Sequence, residues 1–121
     1  MGRIIKGKIC QSEERFVMRY NSVLDLHTHT VASGHAYCSL REMAKAASEK
    51  GLEVLGITEH APSMPGTCHK FYFNNLKVVP REMYGIQLLL GSEVNILDAQ
   101  GTVDLEEKTL SNMDVVIASL H

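Results

Sequence analysis

Between Val23 and Thr58 the chain changes its hydrophobic period twice, and that alternation restricts the possible folds more than any other feature. Val23 to His27 is a short, apolar-rich run with the character of a strand. Ser39 to Lys50 then repeats apolar residues at helical spacing, with Leu40, Met43, Ala44 and Ala47 at i, i+3, i+4 and i+7. Ser39 and Glu42 form a capping box, and Gly51 suits the left-handed position after the last turn. Glu53 to Thr58 follows, its centre Val54-Leu-Gly-Ile57 apolar on both sides, as a parallel strand covered on both faces must be. Strand, helix and buried strand in succession predict an α/β domain on a parallel sheet.

The pattern continues less regularly. Pro62, Pro65 and Gly66 break the segment from Ala61 to Cys68 into a loop, and Phe71 to Tyr84 reads as a helix interrupted or restarted near Pro80. A third strand is predicted from Ile86 to Leu90, continuing towards Glu93, then a turn-rich stretch from Asn95 to Thr102 around Gly101. A short helix from Leu105 to Asn112, capped by Asp104, leads into a fourth strand from Asp114 to His121. Residues 1–20 show no clear period and read as an accessory tail, leaving 21–121 as the domain.

Composition removes several functions. A chain of 121 residues holds one small domain, and its net charge of -2 provides no basic field for gripping nucleic acid. No apolar run is long enough to cross a membrane, and no signal peptide opens the sequence. Cys10, Cys38 and Cys68 are scattered, with no Cys-x-x-Cys pair, which argues against a disulfide framework and predicts a reducing, cytoplasmic setting with idle thiols.

The polar residues are distributed with more order. His27 and His29 close the first strand, Glu59-His60 the second, Glu93 the third and His121 the fourth. The carboxyl rim of parallel strands is where α/β proteins build their sites. Two histidines at spacing two on an extended strand share a face, and neutral imidazole is a ready ligand for zinc. Taken singly, His60 or His121 reads as an ordinary satisfied histidine and Glu93 as a solvated acid. Taken together with His35, in the loop after the first strand, they read as a metal-ligand set. His69, in the Pro/Gly loop, reads as pocket-lining or exposed, and Glu59 as a solvated or structural carboxylate. Asp25 shares a strand face with His27 and can orient an imidazole or bond the backbone.

Four segments carry a resemblance: Asp25-Leu-His27-Thr-His29-Thr-Val-Ala-Ser-Gly-His35-Ala-Tyr37, Ile57-Thr-Glu59-His60, Gly91-Ser-Glu93-Val-Asn95 and Ile117-Ala-Ser-Leu-His121. In order and spacing they resemble the PHP (polymerase and histidinol phosphatase) superfamily, and His35-Ala-Tyr37 resembles its YcdX-like branch. The resemblance implies the N-terminal half of a distorted (β/α)7 TIM-like barrel, with parallel strands bearing ligands at their carboxyl ends. It implies a phosphatase that hydrolyses a phosphate monoester with a metal-activated water, on a small phosphorylated substrate, so no serine or cysteine nucleophile is required. It also implies up to three zinc ions, with manganese as the alternative. His27 and His29 would bind the first, Glu93 would bridge the first and second, His121 would bind the second, and His35 and His60 the third.

The family's later motifs, a further histidine and an Asp-x-His pair, have no counterpart in these residues. That predicts a partial PHP domain with reduced or no activity alone, completed by self-association or by a C-terminal half. Two other functions are compatible with His27-x-His29: an amidohydrolase-type metal hydrolase, and a non-catalytic metal-binding or interaction remnant.

Overall fold

The structure is a computed structural model and describes residues 20–121; all of the expected tail but Tyr20 lies outside the described residues, as does Cys10. In chain order the elements are β1 (Leu24–Thr28), a 3-10 turn (Val31–Ser33), α1 (Leu40–Glu49), β2 (Val54–His60), α2 (Lys70–Asn75) and a second 3-10 turn (Leu76–Val78). Then come β3 (Glu82–Met83), β4 (Ile86–Asn95), α3 (Glu107–Leu110) and β5 (Val115–Ser119). All five strands form one sheet, in which β1, β2, β4 and β5 run parallel and curl into a half-barrel of TIM-like type.

Helix α1 forms where the capping box places it. Ser39 Oγ accepts the Glu42 N–H while Glu42 Oε2 accepts the Ser39 N–H at 2.7 Å, and Gly51 takes the left-handed conformation at φ 81°. Its apolar stripe buries Ala44 and Ala47 against the sheet, with Leu40 and Met43 alongside. Leu55, Ile57, Leu88, Leu90 and Val94 supply the strand side of the core, and Phe73 and Leu76 cover it from the α2 region. Among the described residues no helix is long and apolar enough to cross a membrane.

Three expectations need correction. The first is the predicted helix over Phe71 to Tyr84, which stops at Asn75; the chain instead forms β3, antiparallel to β4, so the sheet is mixed. Met83 pairs with Ile86 across a two-residue turn, in which Tyr84 and Gly85 both have positive φ (52° and 77°). That twist matches the flanking strands, and the glycine makes it accessible. Both β3 and β5 lie along one edge of β4, and Arg81 and Asp114 fill the gap between them. Leu88 N–H donates to the Arg81 carbonyl at 2.8 Å, and Leu90 N–H to Asp114 Oδ2 at 2.8 Å. Arg81 Nε donates to the same Oδ2 at 2.6 Å.

The second and third corrections concern Asp104 and the helix after it. Helix α3 is a single turn with Glu106 at its N-cap and no side-chain cap. Asp104 is engaged elsewhere: it accepts the Asn95 N–H (2.8 Å), the Asn95 Nδ2 (2.6 Å) and the Ser63 N–H (2.9 Å). It thereby ties the end of β4 to the loop after β2. Burial pushes its carboxyl up, but the bonds from Asn95 and Ser63 outweigh that and hold it below the ordinary 3.8. Because the folded value is depressed, the contribution is present above pH 3.8 and is lost as pH falls through the folded value. Asp104→Asn replaces one acceptor by a donor facing other donors, and is expected to cost about 1–3 kcal/mol in urea unfolding at neutral pH. An unchanged midpoint would mean that the staple contributes nothing.

Candidate metal centre

Parallel register sets His60 directly opposite Glu93, so β2 and β4 deliver neighbouring side chains. His60 Nδ1 lies 3.2 Å from Glu93 Oε2. The same oxygen lies 3.0 Å from His27 Nε2 and 3.2 Å from His29 Nε2, while His121 Nε2 is 3.4 Å from Oε1. Four of the five candidate histidines thus converge on one carboxylate that is only 5% exposed. His35 completes the cluster, its ring 4.7 Å from that of His60 and 5.1 Å from that of His29.

The first strand reaches this point by a different geometry from the straight one expected. Asp25 pairs with Leu55 but Thr28 with Ile57, so β1 carries one extra residue, a bulge that re-aims His27; His29 lies just past the strand's end. Asp25 Oδ1 accepts the His27 N–H at 3.2 Å, so this carboxylate takes the backbone role and supports the bulge. His35 arrives through a turn at Gly34. There φ is 76°, and a Cβ would stand 2.1 Å from the Gly66 carbonyl oxygen, so only glycine lets the two loops touch.

Supporting residues fix which ring nitrogens face inward. His35 Nδ1 lies 3.2 Å from the Ser33 carbonyl, which only accepts, so Nδ1 carries the hydrogen and Nε2 keeps its lone pair. Asn95 Nδ2 donates to Asp104, which turns Oδ1 towards His121 Nδ1 at 2.7 Å and leaves His121 Nε2 as a lone pair facing Glu93. Ser119 Oγ donates to Glu93 Oε1 at 2.6 Å. Sequence reading assigned no role to Ser33 or Ser119 and none to Asn95 beyond its motif. The i, i+2 rule carried the signal for two of them, since Asn95 follows Glu93 and Ser119 precedes His121 by that spacing.

Electrostatics favour the neutral imidazole at His29 and His60, beside the Glu93 anion. Burial lowers the basicity of His29, with the Glu93 charge opposing it, and burial followed by the neighbouring His29 does the same to His60. Burial alone would raise Glu93, but the hydrogen bonds from Ser119 and His27 and the surrounding imidazoles bring it down to about 2. His60 Nδ1 is buried without an aligned hydrogen bond despite its 3.2 Å approach to Glu93. An orphaned buried nitrogen and lone pairs turned towards a carboxylate fit a divalent cation better than they fit one another.

The donors fall into three groups of ligand atoms within 4.8 Å of one another: His27, His29 and Glu93; His60, Glu93 and His121; His29, His35 and His60. All six expected residues are included, and His29 and His60 each enter two groups rather than the one implied. A nitrogen-rich set with one carboxylate suits zinc-like ions.

Glu59 is structural rather than solvated: fully buried, it accepts from Thr30 N–H and from the Thr30 and Ser33 hydroxyls. His69 is exposed and caps α2 by accepting the Phe71 N–H at 3.2 Å. It lines an apolar cleft of about 540 Å³ with Leu40, Phe71, Tyr72 and Val79, a cleft that none of the six cluster residues lines. Among the described residues neither Cys38 nor Cys68 enters a ligand group, and burial pushes the Cys68 thiol up.

A family model described as PHP domain matches residues 25–121. A probable phosphatase from Clostridium novyi (strain NT) is 59% identical over 104 residues, covering 86% of this chain and 42% of that protein. One from Caldanaerobacter subterraneus subsp. tengcongensis is 51% identical over 104 residues, 86% of this chain and 41% of that protein. Another, from Clostridium botulinum (strain Hall), is 53% identical over 104 residues, with 86% and 42% covered. The chain therefore spans about two-fifths of the length of these curated relatives.

Proposed function

The chain belongs to the PHP family, and from that premise we propose that it contributes the main part of a multinuclear zinc site to a phosphatase acting on small phosphate monoesters. One observation carries the reading: Glu93 is shared by two ligand groups, His27 with His29 and His60 with His121. His27, His29 and Glu93 would hold a first ion, Glu93 with His121 a second, and His35 with His60 a third, each neutral imidazole giving its one lone pair to one ion. When bound, such ions would neutralise a phosphate ester and lower the pKa of water towards neutrality.

The chain's own residues prepare that chemistry. Burial disfavours a proton charge on His29 and His60 that would compete with the cations, and Glu93, ionised above about pH 2, offsets part of theirs. Ser119 holds one of its oxygens in place, and the Asp104–Asn95 pair holds the His121 ring. The relatives, named as probable phosphatases, favour the phosphatase over an amide-cleaving hydrolase. The YcdX-like character of His35-Ala-Tyr37, a cytoplasmic setting and the use of manganese in place of zinc belong to the same proposal. So does completion of the barrel by a second copy or a further segment of the relatives' length.

Metal analysis of the purified chain tests it. We expect zinc or manganese in a weakly held, substoichiometric form, reduced in the His27→Ala/His29→Ala double variant, which keeps only the His60, Glu93 and His121 group whole. Equal metal content in the two would end the proposal. Phosphomonoester hydrolysis by the 121-residue chain alone is expected to be slow but stronger than cleavage of a cyclic amide. Fast metal-dependent turnover by a confirmed monomer would show that a further segment is unnecessary.

A further inference from the structure

We infer that Glu59 and Ser33 form a positioning relay that holds His29 as the Nδ1–H tautomer, with the Nε2 lone pair turned into the cluster. Glu59 takes no part in the proposed chemistry, yet it is fully buried directly beneath the loop that carries His29 and His35. Its Oε1 accepts the Thr30 hydroxyl and its Oε2 the Ser33 hydroxyl, and both oxygens lie within 3.2 Å of the Thr30 N–H. A carboxylate surrounded by donors only accepts, so the single hydrogen of Ser33 Oγ is committed to it.

Ser33 Oγ, only 2% exposed at residue level, then has two lone pairs left. The backbone N–H of His60 occupies one at 3.0 Å. His29 Nδ1 stands at the other, 3.1 Å away. With its hydrogen spent on Glu59, Ser33 can only accept from His29, which places the imidazole hydrogen on Nδ1. The opposite nitrogen, Nε2, is the one that lies 3.2 Å from Glu93 Oε2. One buried carboxylate therefore selects the ligating face of His29 through a hydroxyl and, through the same hydroxyl, fixes the backbone of His60. Neither residue touches a substrate or an ion; both act through His29.

The consequence for ions rests on the proposed metal site, but the tautomer does not. Long-range nitrogen–proton NMR on the metal-free, 15N-histidine-labelled chain should show His29 as Nδ1–H in the wild type. Ser33→Ala, which removes the acceptor, should give a mixture of both tautomers, and Glu59→Gln, which frees the Ser33 hydrogen, should do the same. Zinc affinity, read by chelator competition, should fall about 10- to 100-fold in each. A merely structural role would lower the unfolding midpoint without moving the tautomer. Wild-type His29 found as Nε2–H, or an unchanged tautomer in Ser33→Ala, would overturn the relay. Should Glu59→Gln fail to fold, the wild-type and Ser33→Ala spectra decide the question alone. If the tautomer behaves as stated while zinc binds no better than to the double variant, the relay stands and the metal reading fails.

Discussion

Glu93→Gln is expected to leave the chain folded while reducing zinc affinity by more than about 100-fold, the upper end of what losing a mere supporting partner costs. The two effects separate because the residue plays opposite parts in the two states. Without ions, its carboxylate faces several imidazole nitrogens, and for His121 the fixed Nδ1–H directs a lone pair at an anion. A glutamine amide of the same shape donates to such lone pairs, so the metal-free chain stays folded and gives up only what the charged carboxylate gains from Ser119 and His27. With ions, the same change removes the one charged ligand, and it removes it from two groups at once.

A pH signature accompanies the change. The folded Glu93 carboxyl is held at about 2 against an ordinary 4.5, so its contribution is present above pH 4.5 and lost as pH falls towards 2. The glutamine variant should lose that acid limb of the stability profile. Chelator competition and urea unfolding across pH, both on metal-stripped protein, measure the two effects. Zinc affinity within a few-fold of wild type would remove Glu93 from the centre of the site.

How much of this the sequence disclosed depends on whether a residue's role is local. Helix α1 was legible because its capping box and apolar stripe operate within one turn of themselves. The rim position of His60, Glu93 and His121 was legible because strand ends follow from apolar runs. Tyr84-Gly85 was missed as a hairpin because neither residue is the usual Asn of such turns, and only the pairing of Met83 with Ile86 forces the left-handed pair. The β1 bulge was hidden for a different reason: an extra residue leaves composition and spacing intact and becomes visible only against the register of β2. Asp104 has the sequence context of a cap, yet two distant backbone donors and the Asn95 side chain outcompete the helix for it. Glu59 reads from the sequence as a solvated or structural carboxylate, and only the loop with Thr30 and Ser33 folding over it decides between the two.

Gly91→Ala is the substitution expected to damage the fold most. β5 begins its pairing with β4 at Gly91, opposite Val115, and crosses it so closely that a Cβ there would stand 1.7 Å from the Val115 carbonyl oxygen and 2.8 Å from its carbon. The obstacle is backbone, which cannot rotate away as a side chain does. Relief requires β5 to lift, and the ladder from Gly91 to Asn95 goes with it. Overpacking in a rigid site costs about 1–3 kcal/mol, and breaking strand pairs adds to that, so a loss of at least about 3 kcal/mol is expected in urea unfolding. Ser119 and His121 lie on or just past β5, so whatever folded population remains should bind zinc more weakly. Gly51→Ala separates steric from conformational causes. Gly51 has φ 81° and nothing within 4 Å of a built Cβ, so its replacement should cost only the strain of the left-handed region, about 1–2 kcal/mol, and leave zinc binding unchanged. Equal destabilisation by the two substitutions would mean that the close crossing of β5 over Gly91 does not govern how the fourth parallel strand is seated.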